Sequence, residues 1–289
     1  MVPPGEKPFV KAGSSSFWGR HEFLIRRLHS LTGLVPVGAY MVVHLLTNAS
    51  VLDNPGKFQQ QVYLIHSLGA ALPLVEWTFI FLPIIFHGVV GLFITAEMLP
   101  NNATYNYTSN FRYTMQRVTG LIAFAFIAWH VFHMHGWFHW EWWATNVSGP
   151  LGGGKFRPYN AASTAGMALQ SPLAMVIYVI GVLASVYHLA NGVWTMGITW
   201  GWWTTPAAMR RALRVCAVFG VLLAVVSLGA LWGMGTMDVA AARARENQMR
   251  DARVEDGILT EEEALEKSAL PPPLGENAAA NSTTTREFQ

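Results

Sequence analysis

Apolar positions in this chain neither alternate nor recur at one narrow period. They gather into five long runs, at residues 28–50, 73–98, 118–140, 172–195 and 213–237, separated by shorter polar stretches. A helix needs about 20 mostly apolar residues to cross about 30 Å of hydrocarbon. Isolated strands would leave their backbone groups unsatisfied in lipid. The pattern therefore predicts an all-α integral membrane protein, a bundle of five transmembrane helices. Trp77, Trp137, Trp140, Trp142, Trp143, Trp200, Trp202 and Trp203 fall near run ends, where an interfacial aromatic belt belongs.

The flanks divide the chain into an N-terminal segment (1–27), the membrane domain (28–237) and a polar tail (238–289). Residues 240–270 have the composition of a polar helix, and the rest of the tail reads as largely disordered. Nothing near residue 1 resembles a signal-peptide core, so the first run is expected to remain as an anchor. Lys and Arg set the orientation. The N-terminal segment and the second and fourth connections carry ten of them, and the first and third connections three. The N-terminus is expected in the cytoplasm and the C-terminus outside.

Composition agrees. The chain is 52% hydrophobic and 12% charged, and 11 of its 17 acidic residues lie at or after Asp238, too few elsewhere to cover a water-facing surface. A net charge of +2 with no basic stripe gives no sign of nucleic-acid binding. The single cysteine, Cys216, can form neither an internal disulfide nor an iron–sulfur site.

Four histidines lie deep in apolar runs: His44, His87, His130 and His188, one in each of the first four. A lone intramembrane histidine most simply makes an interhelical hydrogen bond. Four need another account, because polar groups in lipid are costly and usually functional. At about 1.5 Å per residue, His44 and His130 lie roughly 24 and 18 Å from the inner side, in the outer half. His87 and His188 lie roughly 21–24 Å from the outer side, in the inner half. One outer and one inner pair is the geometry of two bis-histidine haems at different depths. Neutral imidazole is a good iron ligand, and two axial histidines favour electron transfer.

Small residues share helix faces with these histidines. They include Gly181, Ala184, Ser185, Asn191, Gly192 and Thr195 around His188, Gly91 after His87, Gly33 and Val37 before His44, and Ala123 and Thr119 before His130. Close helix packing alone explains glycines in general. A glycine four residues after the ligand recurs in His87…Gly91 and His188…Gly192, and Thr32-Gly33-Leu34 is echoed by Thr119-Gly120-Leu121.

The stretches RRLHSLTGLVPVGAYMVVHLL (26–46), FLPIIFHGVVG (81–91), QRVTGLIAFAFIAWHVF (116–132) and SPLAMVIYVIGVLASVYHLANGVWTMGITWG (171–201) resemble the five-helix, two-haem cytochrome b558 subunit of succinate:quinone oxidoreductases. The resemblance covers roughly residues 20–235. It implies two haems b, the distal one held by His44 and His130 and the proximal one by His87 and His188. It also implies a flavoprotein and an iron–sulfur protein on the cytoplasmic face of a bacterial inner membrane. Electrons would pass between succinate or fumarate and a membrane quinone, often menaquinone, and a dimer of complexes is left open. Two departures stand out. His130 and His188 are 58 residues apart, against 43 for each other interval, so the loop 142–171 carries an insertion. Val186 stands where some fumarate reductases of the family have a glutamate.

Further candidates flank the four. His29, Ser30, Arg27, Gln116, Arg117 and Thr199 are candidate haem-propionate contacts, arginine because its fork is bidentate and always charged. For Arg27 and Arg117, topology and lipid phosphate are an equal reading. His133, His135 and His139 read first as interfacial residues, with a metal cluster or a quinone proton relay as alternatives, and His133 rivals His130 as a ligand. Glu76 is a candidate proton acceptor for a quinone. The rival functions are a cytochrome b anchor of a formate dehydrogenase or hydrogenase and a haem-free proton-coupled transporter. Without flavin or cluster motifs, the chain is not expected to oxidise succinate alone.

Overall fold

The computed structural model describes residues 17–97, 104 and 107–269; Lys7, Lys11, Met98 and the tail from Leu270 lie outside them. Among the described residues every regular element is helical. In chain order these are α1 (Phe17–Leu34), α2 (Pro36–Ala49), α3 (Pro55–His66), α4 (Leu72–Glu76), α5 (Leu82–Ala96), α6 (Thr108–His135), α7 (Glu141–Trp143), α8 (Ala161–Leu169), α9 (Pro172–Thr199), α10 (Pro206–Thr236), α11 (Val239–Glu255) and α12 (Glu261–Glu266). Five stretches are long and apolar enough to cross a membrane: Gly19–Leu52, Gly69–Ala96, Thr108–His135, Pro172–Thr199 and Pro206–Thr236.

Several bounds differ from those read off the hydropathy, each for a local reason. Span one begins inside the segment expected to precede the bundle, because amphipathic residues such as Arg20 and Glu22 extend the helix beyond the apolar run. Pro36 separates α1 from α2, since it has no N–H to donate and its ring crowds the preceding turn. Span two passes through a π-helical stretch, Trp77–Phe81, just before Pro83, where the lost donor relaxes the ladder. Span three ends at His135 rather than residue 140. Gly136 and Trp137 there take positive φ of 85° and 66°, and the Gly136 N–H returns to the Phe132 carbonyl at 2.8 Å. Along α10, Val215, Val218, Val221, Leu222 and Val225 are exposed, an aliphatic row suited to lipid.

Helical contacts divide the chain into two compact units. The first contains residues 1–41, 74–121 and 187–220. Its α1 packs along α5, and Arg26 reaches Glu97 at 2.9 Å and Glu22 at 2.8 Å. Both pairs are exposed and contribute little.

The second unit contains residues 42–73, 122–186 and 221–289. Within it α3, α8, α11 and α12 form a polar cap. Gln59, fully buried, donates to the Pro158 carbonyl at 2.8 Å and accepts from the Ala161 N–H at 2.8 Å. Asn160, also fully buried, donates to Asn247 at 3.0 Å and accepts from the Ala269 N–H at 2.9 Å. Glu246, with no exposed surface, accepts from the Ala162 and Ser163 N–H groups at 2.6 and 3.1 Å and from the Ser163 hydroxyl. The carboxylate thus satisfies donors at the start of α8 that the helix itself cannot. Through Ala269 the tail is held to the rest of the unit by groups 83 or more residues away in sequence, the Ala162 and Ser163 N–H groups and the Asn160 side chain.

Candidate functional site

The first unit brings His87 of α5 and His188 of α9 together, with ring centres 6.0 Å apart and planes nearly perpendicular at 81°. The His87 Nδ1 lies 2.9 Å from the His29 carbonyl oxygen, and the His188 Nδ1 lies 2.9 Å from the Gln116 carbonyl oxygen. A carbonyl can only accept, so each Nδ1 carries the proton and each Nε2 keeps its lone pair free. That tautomer is the one in which imidazole binds metal through Nε2.

The two halves of this arrangement are built alike. His29 and Gln116 each stand three residues before the Thr of the repeated Thr-Gly-Leu. A Cβ on Gly33 would lie 2.2 Å from His87 Cε1, and one on Gly120 would lie 2.8 Å from His188 Cε1. In both helices the glycine four residues after the histidine faces the residue that supplies the carbonyl. A Cβ on Gly91 would lie 3.2 Å from His29 Cε1, and one on Gly192 would lie 3.6 Å from Gln116 Nε2. Gly33, assigned from helical spacing to the face of His44, thus abuts the ring of His87. Gly181, assigned to the face of His188, belongs to the second unit, where Phe126 fills the space that its Cβ would take.

Beside this pair lie buried donors. Arg27 Nε, Arg117 Nε, His29 Nδ1 and Trp200 Nε1 have no hydrogen-bond partner among the described residues. His29 stacks on His87 with centres 4.0 Å apart and planes at 9°, and the Arg27 guanidinium lies 4.8 Å from the Trp200 ring. Of the other propionate candidates, Gln116 is engaged with His188. Thr199 is exposed and bonds the Thr195 carbonyl at 3.0 Å, and Ser30 is half-buried.

The second unit brings together His44 of α2 and His130 of α6, again with ring centres 6.0 Å apart, at 69°. Phe126 stacks on His130 at 5.7 Å. The Tyr178 hydroxyl lies 3.1 Å from His130 Nδ1 and 3.0 Å from His133 Nδ1; one hydroxyl can donate to one ring and accept from the other. His133 stacks on Trp129 at 4.7 Å. Both line a cavity of about 340 Å³ together with Phe132, Lys155, Ser171 and Ile177. His135 and His139 pair with each other, centres 4.2 Å apart. Among the described residues no group of three or more His, Cys, Asp or Glu side chains is placed to hold a metal ion, so the three outer histidines form no such cluster. Glu76 ends α4 in the first unit.

Sequence reasoning missed Tyr178, Trp200, Arg112 and the carbonyls of His29 and Gln116. A tyrosine ten residues before a span-four histidine carries no signal by itself, and a backbone acceptor has no sequence signature at all.

Facing histidine pairs held between apolar spans, with the rings of His87, His188 and His130 aimed by a carbonyl or a hydroxyl, define a polytopic membrane protein of the cytochrome b type. No family model matches the chain. It is 34% identical over 214 residues to the succinate dehydrogenase cytochrome b558 subunit of Bacillus subtilis (strain 168), an alignment covering 74% of this chain and 98% of that relative. The chain belongs to the succinate dehydrogenase cytochrome b558 subunit family.

Proposed function

We propose that the chain is the two-haem b anchor of a succinate:quinone oxidoreductase, passing electrons between an iron–sulfur partner and a membrane quinone. The observation that carries this reading is the pair of facing imidazole couples, each 6.0 Å between ring centres. That spacing admits one metal ion at roughly 2 Å from each facing nitrogen.

The residues present fit haem b. His87 and His188 already hold the tautomer that leaves Nε2 free, and half-buried Arg27, Arg117, His29 and Trp200 each offer a buried, unsatisfied nitrogen to the propionates. His87 and His188 would hold the proximal haem, and His44 and His130 the distal one. When bound, each haem supplies a one-electron carrier whose iron has no position open to oxygen. The protein's own contribution is to fix the imidazoles, exclude water with apolar spans and neutralise propionate charge.

The cavity beside Trp129 has the size and mixed lining of a small-ligand site and suits a quinone ring. His133 and Lys155 would bind its oxygens, and Tyr178 links His133 to His130. This favours His133 over Glu76 as the group nearest the quinone. The charge asymmetry supports a cytoplasmic N-terminus in a bacterial inner membrane, with the flavoprotein and iron–sulfur partners on the cytoplasmic side.

Replacing each of the four histidines by alanine tests the reading. In membranes containing the complex, His44→Ala and His130→Ala should remove one b-type pigment from the reduced-minus-oxidised spectrum. His87→Ala and His188→Ala should remove the other. Retention of both pigments in any of the four variants overturns it.

A further inference from the structure

A polar chain runs from the Gln116 side of the first unit to a half-buried arginine, Arg112. Gln116 Nε2 donates to the His188 carbonyl at 3.1 Å. Asn191 Nδ2 donates to Gln116 Oε1 at 2.7 Å. Arg112 donates to Asn191 Oδ1 through Nη2 at 2.5 Å and through Nε at 3.2 Å. The guanidinium itself lies 3.9 Å from the centre of the Trp194 ring, a cation–π contact that fixes it from the other side. Asn191 is 8% exposed, and both ends of its amide are used. Gln116 is therefore tied at its backbone carbonyl to the His188 ring, at its amide nitrogen to the His188 backbone, and at its amide oxygen to Asn191.

The equivalent position beside His87 is held differently. There the carbonyl belongs to His29, whose side chain stacks on the His87 ring. The two histidines of one pair thus receive the same carbonyl bond but are braced by different means: an aromatic plate on one side, an amide–guanidinium chain on the other.

We propose that Gln116, Asn191 and Arg112 form a positioning unit for the His188 imidazole, tuning the reduction potential of the haem it holds. The inference rests on the reading of His188 as an axial ligand. Donating Nδ1–H to a well-placed carbonyl raises the basicity of the ligating nitrogen and fixes the ring plane. A more basic ligand stabilises the oxidised iron. Loosening Gln116 weakens that bond and shifts the equilibrium towards the reduced haem.

The test uses membranes containing the assembled complex and measures the midpoint potentials and low-spin electron paramagnetic resonance signals of both haems. Asn191→Leu removes both amide links, and Gln116→Leu removes the same brace while keeping the backbone carbonyl. Each should retain two haems and favour reduction of one of them about tenfold, an upward shift of about 59 mV for one electron, with an altered signal for that haem alone. The double variant should shift no further than the larger single one, because the residues act in one chain. If Asn191→Leu does not assemble, Gln116→Leu carries the test. Unchanged potentials and signals, with His188→Ala still losing one haem, overturn the positioning role and leave the ligand assignment standing. Retention of both haems by His188→Ala overturns the ligand assignment itself.

Discussion

Replacing Gly33 by alanine would place a carbon 2.2 Å from His87 Cε1, well inside contact distance, whereas alanine at Gly192 would meet only an ordinary 3.6 Å contact with Gln116. Overpacking of this kind costs about 1–3 kcal/mol. Gly33→Ala should lower occupancy of the His87/His188 site roughly tenfold, and Gly120→Ala, meeting His188 at 2.8 Å, should act in the same direction. Gly192→Ala should leave both pigments in place, and a redox-resolved difference spectrum of membranes reads all three. At this scale the sequence exposes residue types and spacing but not partners. The recurrence of glycine four residues after His87 and His188 was visible, and so was the Thr-Gly-Leu echo. Helical periodicity placed Gly33 on the face of His44, yet it meets the ring of His87, because a 3.6-residue period does not say which neighbour a face meets. The carbonyls of His29 and Gln116 were illegible for a simpler reason: every residue carries one.

At the scale of elements, Glu246 joins α11 to α8 within the cap. Burial raises its carboxyl above the ordinary carboxylate value, against the opposing pull of bonds from Ser163 and Ala162 and of the nearby Arg243. A carboxyl raised in the folded state contributes stability that is complete below its unfolded value, about 4.3, and is lost as pH rises through the folded value. Local opening of α8 should therefore increase with pH. Hydrogen exchange at the Ala162 and Ser163 amides, corrected for intrinsic rate between about pH 5 and pH 8, measures it. Glu246→Gln keeps an acceptor for both amides and removes the titration, so its opening should be flat across that range. Glu246→Ala leaves the start of α8 unsatisfied and should weaken the cap by about 1–3 kcal/mol at every pH. An opening that falls with rising pH in the native chain would refute this account. The cap was only half legible: residues 240–270 read as a polar helix, but its docking depends on single buried amides and carboxylates with no hydrophobic period to announce them.

Across the whole molecule, five apolar runs map onto five spans because lipid imposes one demand on every residue of a span, and that demand is written in composition. Span ends are set more locally, as by the positive-φ pair Gly136–Trp137 after span three, which is why the hydropathic bounds drift. Orientation is a separate property, carried by the lysines and arginines that the runs leave outside. Lys57 and Arg211 are both exposed and lie in connections of opposite charge character, the first with one basic residue and the second with three. On a Cys216→Ser background, Lys57→Cys should react with a membrane-impermeant maleimide in intact cells. Arg211→Cys should react only after the cells are opened, because positively charged connections stay on the cytoplasmic side. The converse pattern would turn the molecule over. It would overturn the proposed cytoplasmic placement of the N-terminus and of the partner-binding side.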